Sequence, residues 1–208
     1  MQIGIIGAGM IGSTVGELWI DSGHDVRFAS RHPESLQPLV SSLGPHASAG
    51  TPADAAVFGE VVMITVPLRA LPELARDIGH LLEGKIVLDT SNAYDKRDGD
   101  SAREAREFPG GSAAWAAAMF PKSRWVKAFN SVYFKTLDSE AHRDEDLVGI
   151  PLASNDEDAL ATASRLVRDA GFDPVVIGNL AAGVKVEPGT APYNTGMSGN
   201  DLRKILNL

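Results

Sequence analysis

Gly7-Ala8-Gly9-Met10-Ile11-Gly12 carries the most readable chemistry in this chain. Three glycines at this spacing, between the apolar run Gln2–Ile6 and a helical pattern, form the turn that holds a dinucleotide pyrophosphate. Gly7 allows the tight turn, Gly9 lets the backbone approach the phosphates, and Gly12 lets the helix pack close to the strand. The freed amides of the first helical turn, around Met10 and Ile11, and the positive end of the helix dipole complete an anion site.

The end of the next strand selects the nucleotide. A site for the unphosphorylated ribose places an Asp or Glu about twenty residues past the glycines. The window here reads Phe28-Ala29-Ser30-Arg31-His32 and holds no acid. Ser30 can hydrogen-bond a 2′-phosphate, Arg31 can fork onto it or stack over adenine, and His32 can add a donor. The ligand expected is therefore NADP(H) rather than NAD.

Other strand ends carry further candidates. Thr65-Val66-Pro67 follows a core strand; its backbone can meet the pyrophosphate or the nicotinamide ribose, or it can be a plain strand-to-helix turn. Ser91-Asn92 can bind a nicotinamide carboxamide or simply cap a turn. Asn130 ends the strand Arg124–Phe129 and is placed to orient the nicotinamide or a hydride acceptor. Lys127 alternates away from Ala128 and reads as a solvated strand residue, and the histidines in turns, His24, His46, His80 and His142, read as surface groups. No nucleophile–base arrangement, metal-spaced cluster or reason for a carboxylate pair is found, so no catalytic side chain and no metal ligand is assigned.

These residues need a frame of alternating strands and helices, which implies an α/β fold of the Rossmann type: a doubly wound, mostly parallel sheet with a small C-terminal appendage. Strands are expected at Gln2–Ile6, Asp25–Ala29, His46–Ala49, Val61–Val66, Lys85–Asp89, Arg124–Phe129, Leu147–Ala153 and Pro174–Ile177. Leu68–Leu82 reads as one helix, Asp95–Gly111 as a mobile loop with at most a helical turn, and Gly178–Gly199 as irregular. Ser154 or Asn155 is expected to cap the helix that follows. We divide the chain into a dinucleotide-binding domain, 1–150, and a C-terminal extension, 151–208, that completes the sheet and the acceptor site.

The 208 residues are 44% hydrophobic and 22% charged, ordinary globular values, with a net charge of −8. That charge, with no basic stripe, argues against nucleic acid or an anionic membrane as partner. The absence of cysteine excludes disulfides, thiolate metal sites and dithiol redox chemistry. A core strand at residue 2 and no long apolar run lead to the expectation of a cytoplasmic protein.

Together, Gly7–Gly12, Ser30-Arg31, Thr65-Val66-Pro67, Leu88-Asp89-Thr90-Ser91-Asn92 and Val126-Lys127-Ala128-Phe129-Asn130 resemble the NADPH-dependent coenzyme F-420 reductase family. The likeness is closer still to the NADPH-binding domain of the STEAP metalloreductases and its bacterial stand-alone relatives. It extends over essentially the whole chain, through Gly111–Trp115 and Gly178–Ala181. It implies hydride transfer between NADPH and a flavin-type ring in a homodimer, with coenzyme F-420, FMN or FAD as co-substrate. It also implies that Ser30 and Arg31 hold the 2′-phosphate. The chain departs from the deazaflavin reductases at Asn130-Ser131-Val132, where they carry a His-Thr-Ile type strand end, and again over Val186–Asn194. Both departures concern the acceptor and leave the nucleotide unaffected. Two other readings stand beside this one: an NADP-dependent reductase of a small carbonyl or imine, and a non-enzymatic NADPH-binding redox sensor.

Overall fold

In a computed structural model that describes residues 1–208, strands and helices alternate from the first residues. The N-terminal unit runs β1 (Gln2–Ile6), α1 (Met10–Asp21), β2 (Asp25–Ala29), α2 (Gln37–Leu43), β3 (Ala47–Gly50), α3 (Pro52–Phe58) and β4 (Val61–Ile64). It continues with α4 (Leu71–Ile78), β5 (Ile86–Asp89), α5 (Asp95–Asp98), α6 (Asp100–Glu107), α7 (Gly111–Met119) and β6 (Arg124–Lys127). The chain then forms α8 (Phe134–Ser139), β7 (Gly149–Ser154), α9 (Glu157–Asp169), β8 (Asp173–Gly178), a 3-10 segment over Leu180–Val186, and α10 (Gly199–Leu206).

All eight strands join one sheet in the order β3-β2-β1-β4-β5-β6-β7-β8. The first six are parallel and in the doubly wound Rossmann order; β7 pairs antiparallel with β6 and parallel with β8. The strand order reverses between β1 and β4, so a crevice opens beyond their carboxyl ends. Gly7 and Thr65 lie there, one residue past each strand.

Every residue of β4 and β5 is buried, as expected of central parallel strands covered by helices on both faces. Ile5, Met63, Leu88 and Val126 pack on one face with Val15 and Trp19 of α1 and Leu166 of α9, where the Trp19 Nε1 donates to Leu166 O at 2.8 Å. Val62, Ile64, Val87 and Trp125 face the other side, against α3, α4 and α7. A small third cluster of Ala153, Val175, Ile177, Val186 and Leu202 seats the C-terminal segment on β7 and β8.

Several local expectations need correction. Asp95–Gly111 forms two helices rather than a mobile loop: Ala102 and Ala105 bury one side of α6 and leave its charges outward. Leu68–Leu82 is not one helix, because 3-10 turns at Leu68–Ala70 and Gly79–Leu82 flank α4, with Pro72 in its first turn. The helix α8 lies in a stretch with no clear apolar period. Neither Ser154 nor Asn155 caps α9; the Asp156 carboxylate accepts from Ala159 N at 2.8 Å. His24 is buried, with Nε2 3.0 Å from Asp169 Oδ2 and Nδ1 3.3 Å from the Met1 amine.

Candidate functional site

The glycine loop is locked by its neighbours at two of its three glycines. Gly7 has φ +103°, and a Cβ there would lie 2.8 Å from Thr65 O. Its N–H donates to Ala29 O at 3.0 Å, while its carbonyl accepts from Thr65 Oγ1 at 2.8 Å. A Cβ on Gly12 would lie 2.2 Å from Gly7 O, so α1 can sit this close only with glycine there. Gly9 differs. Its φ of −82° and ψ of −167° suit any residue, and a Cβ there would meet nothing within 4 Å. Neither backbone strain nor protein packing calls for a glycine at this position; the open space above it does. The first intrahelical bond of α1 runs from Ser13 N to Gly9 O at 2.8 Å, leaving the amides of Met10, Ile11 and Gly12 at the open helix end.

Two cavities meet at Gly9. The larger, about 850 Å³, runs from Gly7, Ala8 and Gly9 past Ser30, Arg31 and Thr51 to Val66, Pro67 and Arg69. Ser30 Oγ accepts from His32 N at 3.1 Å, which leaves its own hydrogen free to donate. Arg31 is exposed and makes no ion pair. The His32 ring is turned outward to Glu34, 3.4 Å away, and does not line the cavity. The acids on its wall, Glu73 and Asp77, come from α4 and not from the end of β2.

The second cavity, about 520 Å³, is walled by Gly9, Met10, Ile11, Thr65, Asn92 and Asn130 together with the aromatic rings of Tyr94, Tyr133, Phe134 and Tyr193. Asn92 Nδ2 donates to Asn130 O at 2.7 Å and reaches Tyr193 Oη at 3.4 Å, while Asn92 Oδ1 accepts from Asn130 Nδ2 at 3.1 Å. The Tyr94 and Tyr193 hydroxyls are hydrogen-bonded to each other. Burial raises the Tyr193 phenol well above its usual pKa, and the bond to Tyr94 acts in the same direction. Phe129 precedes Asn130 with φ +57°, a conformation that bulky residues adopt at a cost and that turns the chain at the end of β6.

Behind this wall lies a buried ion pair. Lys127 Nζ is 2.9 Å from Asp89 Oδ2, and the two side chains are 1% and 0% exposed. Lys127 Nζ also donates to Ser91 O, and Asp89 Oδ1 accepts from Ser91 N at 2.8 Å. Lys127 is thus a buried anchor of the Ser91-Asn92 turn and not a solvated strand residue. The reason is positional: β6 lies inside the sheet, and Gly183 of the C-terminal 3-10 segment packs over the lysine stem, so close that a Cβ added there would lie 3.8 Å from Lys127 Cγ. Alternation separates inside from outside only where one face is open.

The structure thus brings Gly7, Gly9, Ser30, Arg31, Val66 and Pro67 around the first cavity, and Gly9, Met10, Ile11, Thr65, Asn92 and Asn130 around the second. Gly12 serves packing, and Ser91 faces the ion pair and lines neither cavity. Sequence reasoning missed Tyr94, Tyr133 and Tyr193. The first two follow shortly after Asn92 and Asn130, so proximity to a strand end was the available signal. Tyr193 reaches the site through the fold of the C-terminal segment, and nothing local announces it.

Residues 2–93 match the family model described as NADP oxidoreductase coenzyme F420-dependent. The chain is 28% identical over 189 residues to metalloreductase STEAP3 of Rattus norvegicus, covering 89% of this chain and 36% of that protein. It is 34% identical over 120 residues to the F420-dependent NADP reductase of Methanothermobacter marburgensis, covering 56% of this chain and 52% of that one. The chain therefore spans about a third of the length of the first relative and about half of the second. A crystal structure of a hypothetical protein from Sinorhizobium meliloti superposes with a TM-score of 0.79 at 28% identity, covering 93% of this chain and 92% of that one. No helix is long and apolar enough to cross a membrane. By sequence, the chain matches the NADP oxidoreductase coenzyme F420-dependent model over residues 2–93 and is similar to the STEAP metalloreductases and the F420-dependent NADP reductases.

Proposed function

We propose that this protein is an NADP(H)-dependent oxidoreductase that exchanges a hydride with a flavin- or deazaflavin-type ring. The observation that carries the proposal is the meeting of the two cavities at Gly9, the one residue of the glycine loop whose side-chain space the protein leaves open. A dinucleotide laid over that glycine reaches both, with its phosphorylated ribose near Ser30 and Arg31 and its nicotinamide towards Asn92 and Asn130.

The residues fit the group. The helix α1 amides suit a pyrophosphate. The free hydrogen of Ser30 and the unpaired Arg31 suit a 2′-phosphate, which a protein of net charge −8 must hold with local cations. When bound, NADP(H) supplies the hydride chemistry at its nicotinamide ring. The protein's part is positioning: the Asn92–Asn130 pair and the aromatic walls set stacking distance and limit water. No acid–base side chain is required for exchange between two rings, and the titratable groups that line the second cavity are tyrosine phenols, the buried Asp89–Lys127 pair lying behind its wall.

That phenol pair favours a second reading, reduction of a small carbonyl or imine with a tyrosine near the oxygen or nitrogen. A panel of acceptors with NADPH under anaerobic conditions separates the two. Turnover with coenzyme F-420, FMN, FAD or riboflavin supports ring-to-ring transfer; turnover confined to small carbonyls or imines selects the second reading. Binding of NADPH without turnover of any acceptor leaves only a sensor.

A further inference from the structure

Asn130 is 3% exposed, yet its Oδ1 accepts no hydrogen bond from the protein. The orientation of this amide is not arbitrary. Nδ2 lies 3.1 Å from Asn92 Oδ1 and 3.1 Å from Val186 O, both acceptors, so that atom must be the nitrogen. Both of its hydrogens are then used, and Oδ1 is left as a buried acceptor without a donor. Buried polar atoms are overwhelmingly paired, and one that is not calls for a reason.

The neighbouring phenols show the complementary lack. Tyr94 and Tyr193 carry two hydroxyl hydrogens between them; their mutual bond takes one, and Asn92 Nδ2 occupies a lone pair of Tyr193 as a donor. One phenol hydrogen is therefore uncommitted. Burial keeps the Tyr193 phenol protonated at neutral pH, so the pair is a donor and not an anion. Tyr193 Oη and Asn130 Nδ2 both contact the same Asn92 amide, which ties the phenol pair and the Asn130 amide to one side chain among residues that line the second cavity.

We propose that Asn130 Oδ1 and the free hydroxyl hydrogen of the Tyr94–Tyr193 pair recognise an amide- or imide-type edge, a carbonyl beside an N–H, on the ring system seated in the second cavity. The inference rests on the second cavity being the nicotinamide and acceptor pocket. Two sources carry this edge: the carboxamide of the nicotinamide, and the imide of a flavin or deazaflavin ring. Tyr193 comes from the segment Glu187–Ser198, held by Asn194 N donating to Ser131 O at 2.7 Å, so the C-terminal segment contributes directly to recognition.

Equilibrium binding to the full chain tests this without relying on turnover. One pair of probes is riboflavin and 3-methylriboflavin; the other is NADP and its 3-acetylpyridine analogue, which keeps the carbonyl and loses the N–H. The expected result is about tenfold weaker binding of the analogue within one pair, the loss associated with leaving a buried acceptor unpaired. That discrimination should vanish in Asn130→Ala. Tyr94→Phe combined with Tyr193→Phe, which removes both hydroxyls, should weaken the preferred probe several-fold while keeping the discrimination, because Asn130 is intact. The pair that discriminates identifies the source of the edge. Less than about twofold discrimination in both pairs, including the case in which riboflavin does not bind at all, overturns the inference. Failure of hydride turnover is a separate result and bears on the proposed reaction alone.

Discussion

Lys127 Nζ and Asp89 Oδ2 stand 2.9 Å apart at the adjoining ends of β6 and β5, and both side chains are sealed from water. The pair touches neither cavity, but it holds both the amide and the carbonyl of Ser91 and so fixes the turn that presents Asn92. Removing one partner leaves the other buried and uncompensated, which costs about 3–5 kcal/mol. Lys127→Met should lower the stability in urea unfolding by that amount. Asp89→Asn combined with Lys127→Met should recover part of the loss, because no unpaired charge remains. Loss of stability equal to the sum of the single changes would show that the two do not act as a pair.

The three glycines of the loop should separate in mutation. Gly7→Ala and Gly12→Ala should destabilise the fold by more than about 1 kcal/mol, since one has φ +103° and the other has Gly7 O in the way. Gly9→Ala should keep or slightly raise the melting temperature, because its backbone suits alanine and the Cβ meets nothing within 4 Å. The same variant should lose NADP(H) affinity, read by titration calorimetry. A Gly9→Ala protein that binds as the parent does would mean that no ligand passes over this residue.

Arg31 is exposed and unpaired, so Arg31→Ala should leave thermal stability unchanged. Its NADPH affinity should fall about tenfold or more, the range for a hydrogen bond to a charged group, while NADH affinity stays the same. An equal loss for both nucleotides would remove Arg31 from the 2′-phosphate.

Asp156 gives the fold an acid-sensitive point. The hydrogen bond from Arg124 lowers its pKa to about 2, with the Ala159 amide acting in the same direction. A depressed carboxylate contributes stability in full above its ordinary value near 3.8 and loses it as the pH falls through about 2. Asp156→Asn keeps a cap but loses the Arg124 pair. The gap in urea midpoint between parent and variant should therefore be constant at neutral pH and close as the pH falls from about 4 to 2. A gap unchanged across that window would contradict the pairing.

The glycine loop, the end of β2 and the alternation of strands and helices could be read from the sequence because each depends on local periodicity and on residues close together in the chain. Lys127 could not, since a polar residue in an interior strand breaks the alternation rule without announcing its partner. Asp89 and Lys127 meet only when β5 and β6 pair. The charged stretch 95–107 concealed α5 and α6 because the buried residue of α5 is Asp98 and those of α6 are alanines, which carry little hydrophobic signal. Tyr193 lies 99 residues from its partner Tyr94, and only the return of the C-terminal segment over the sheet edge brings the two together.

The proposed reaction is tested most directly by mixing the protein with NADPH and an oxidised flavin or coenzyme F-420 in an anaerobic stopped-flow instrument and following both chromophores. Ring-to-ring transfer predicts loss of the reduced nicotinamide and gain of the reduced acceptor at the same rate, in equal amounts, with a slower rate when the transferred hydrogen is deuterium. NADPH that binds but stays reduced in the presence of every one of these acceptors would contradict it.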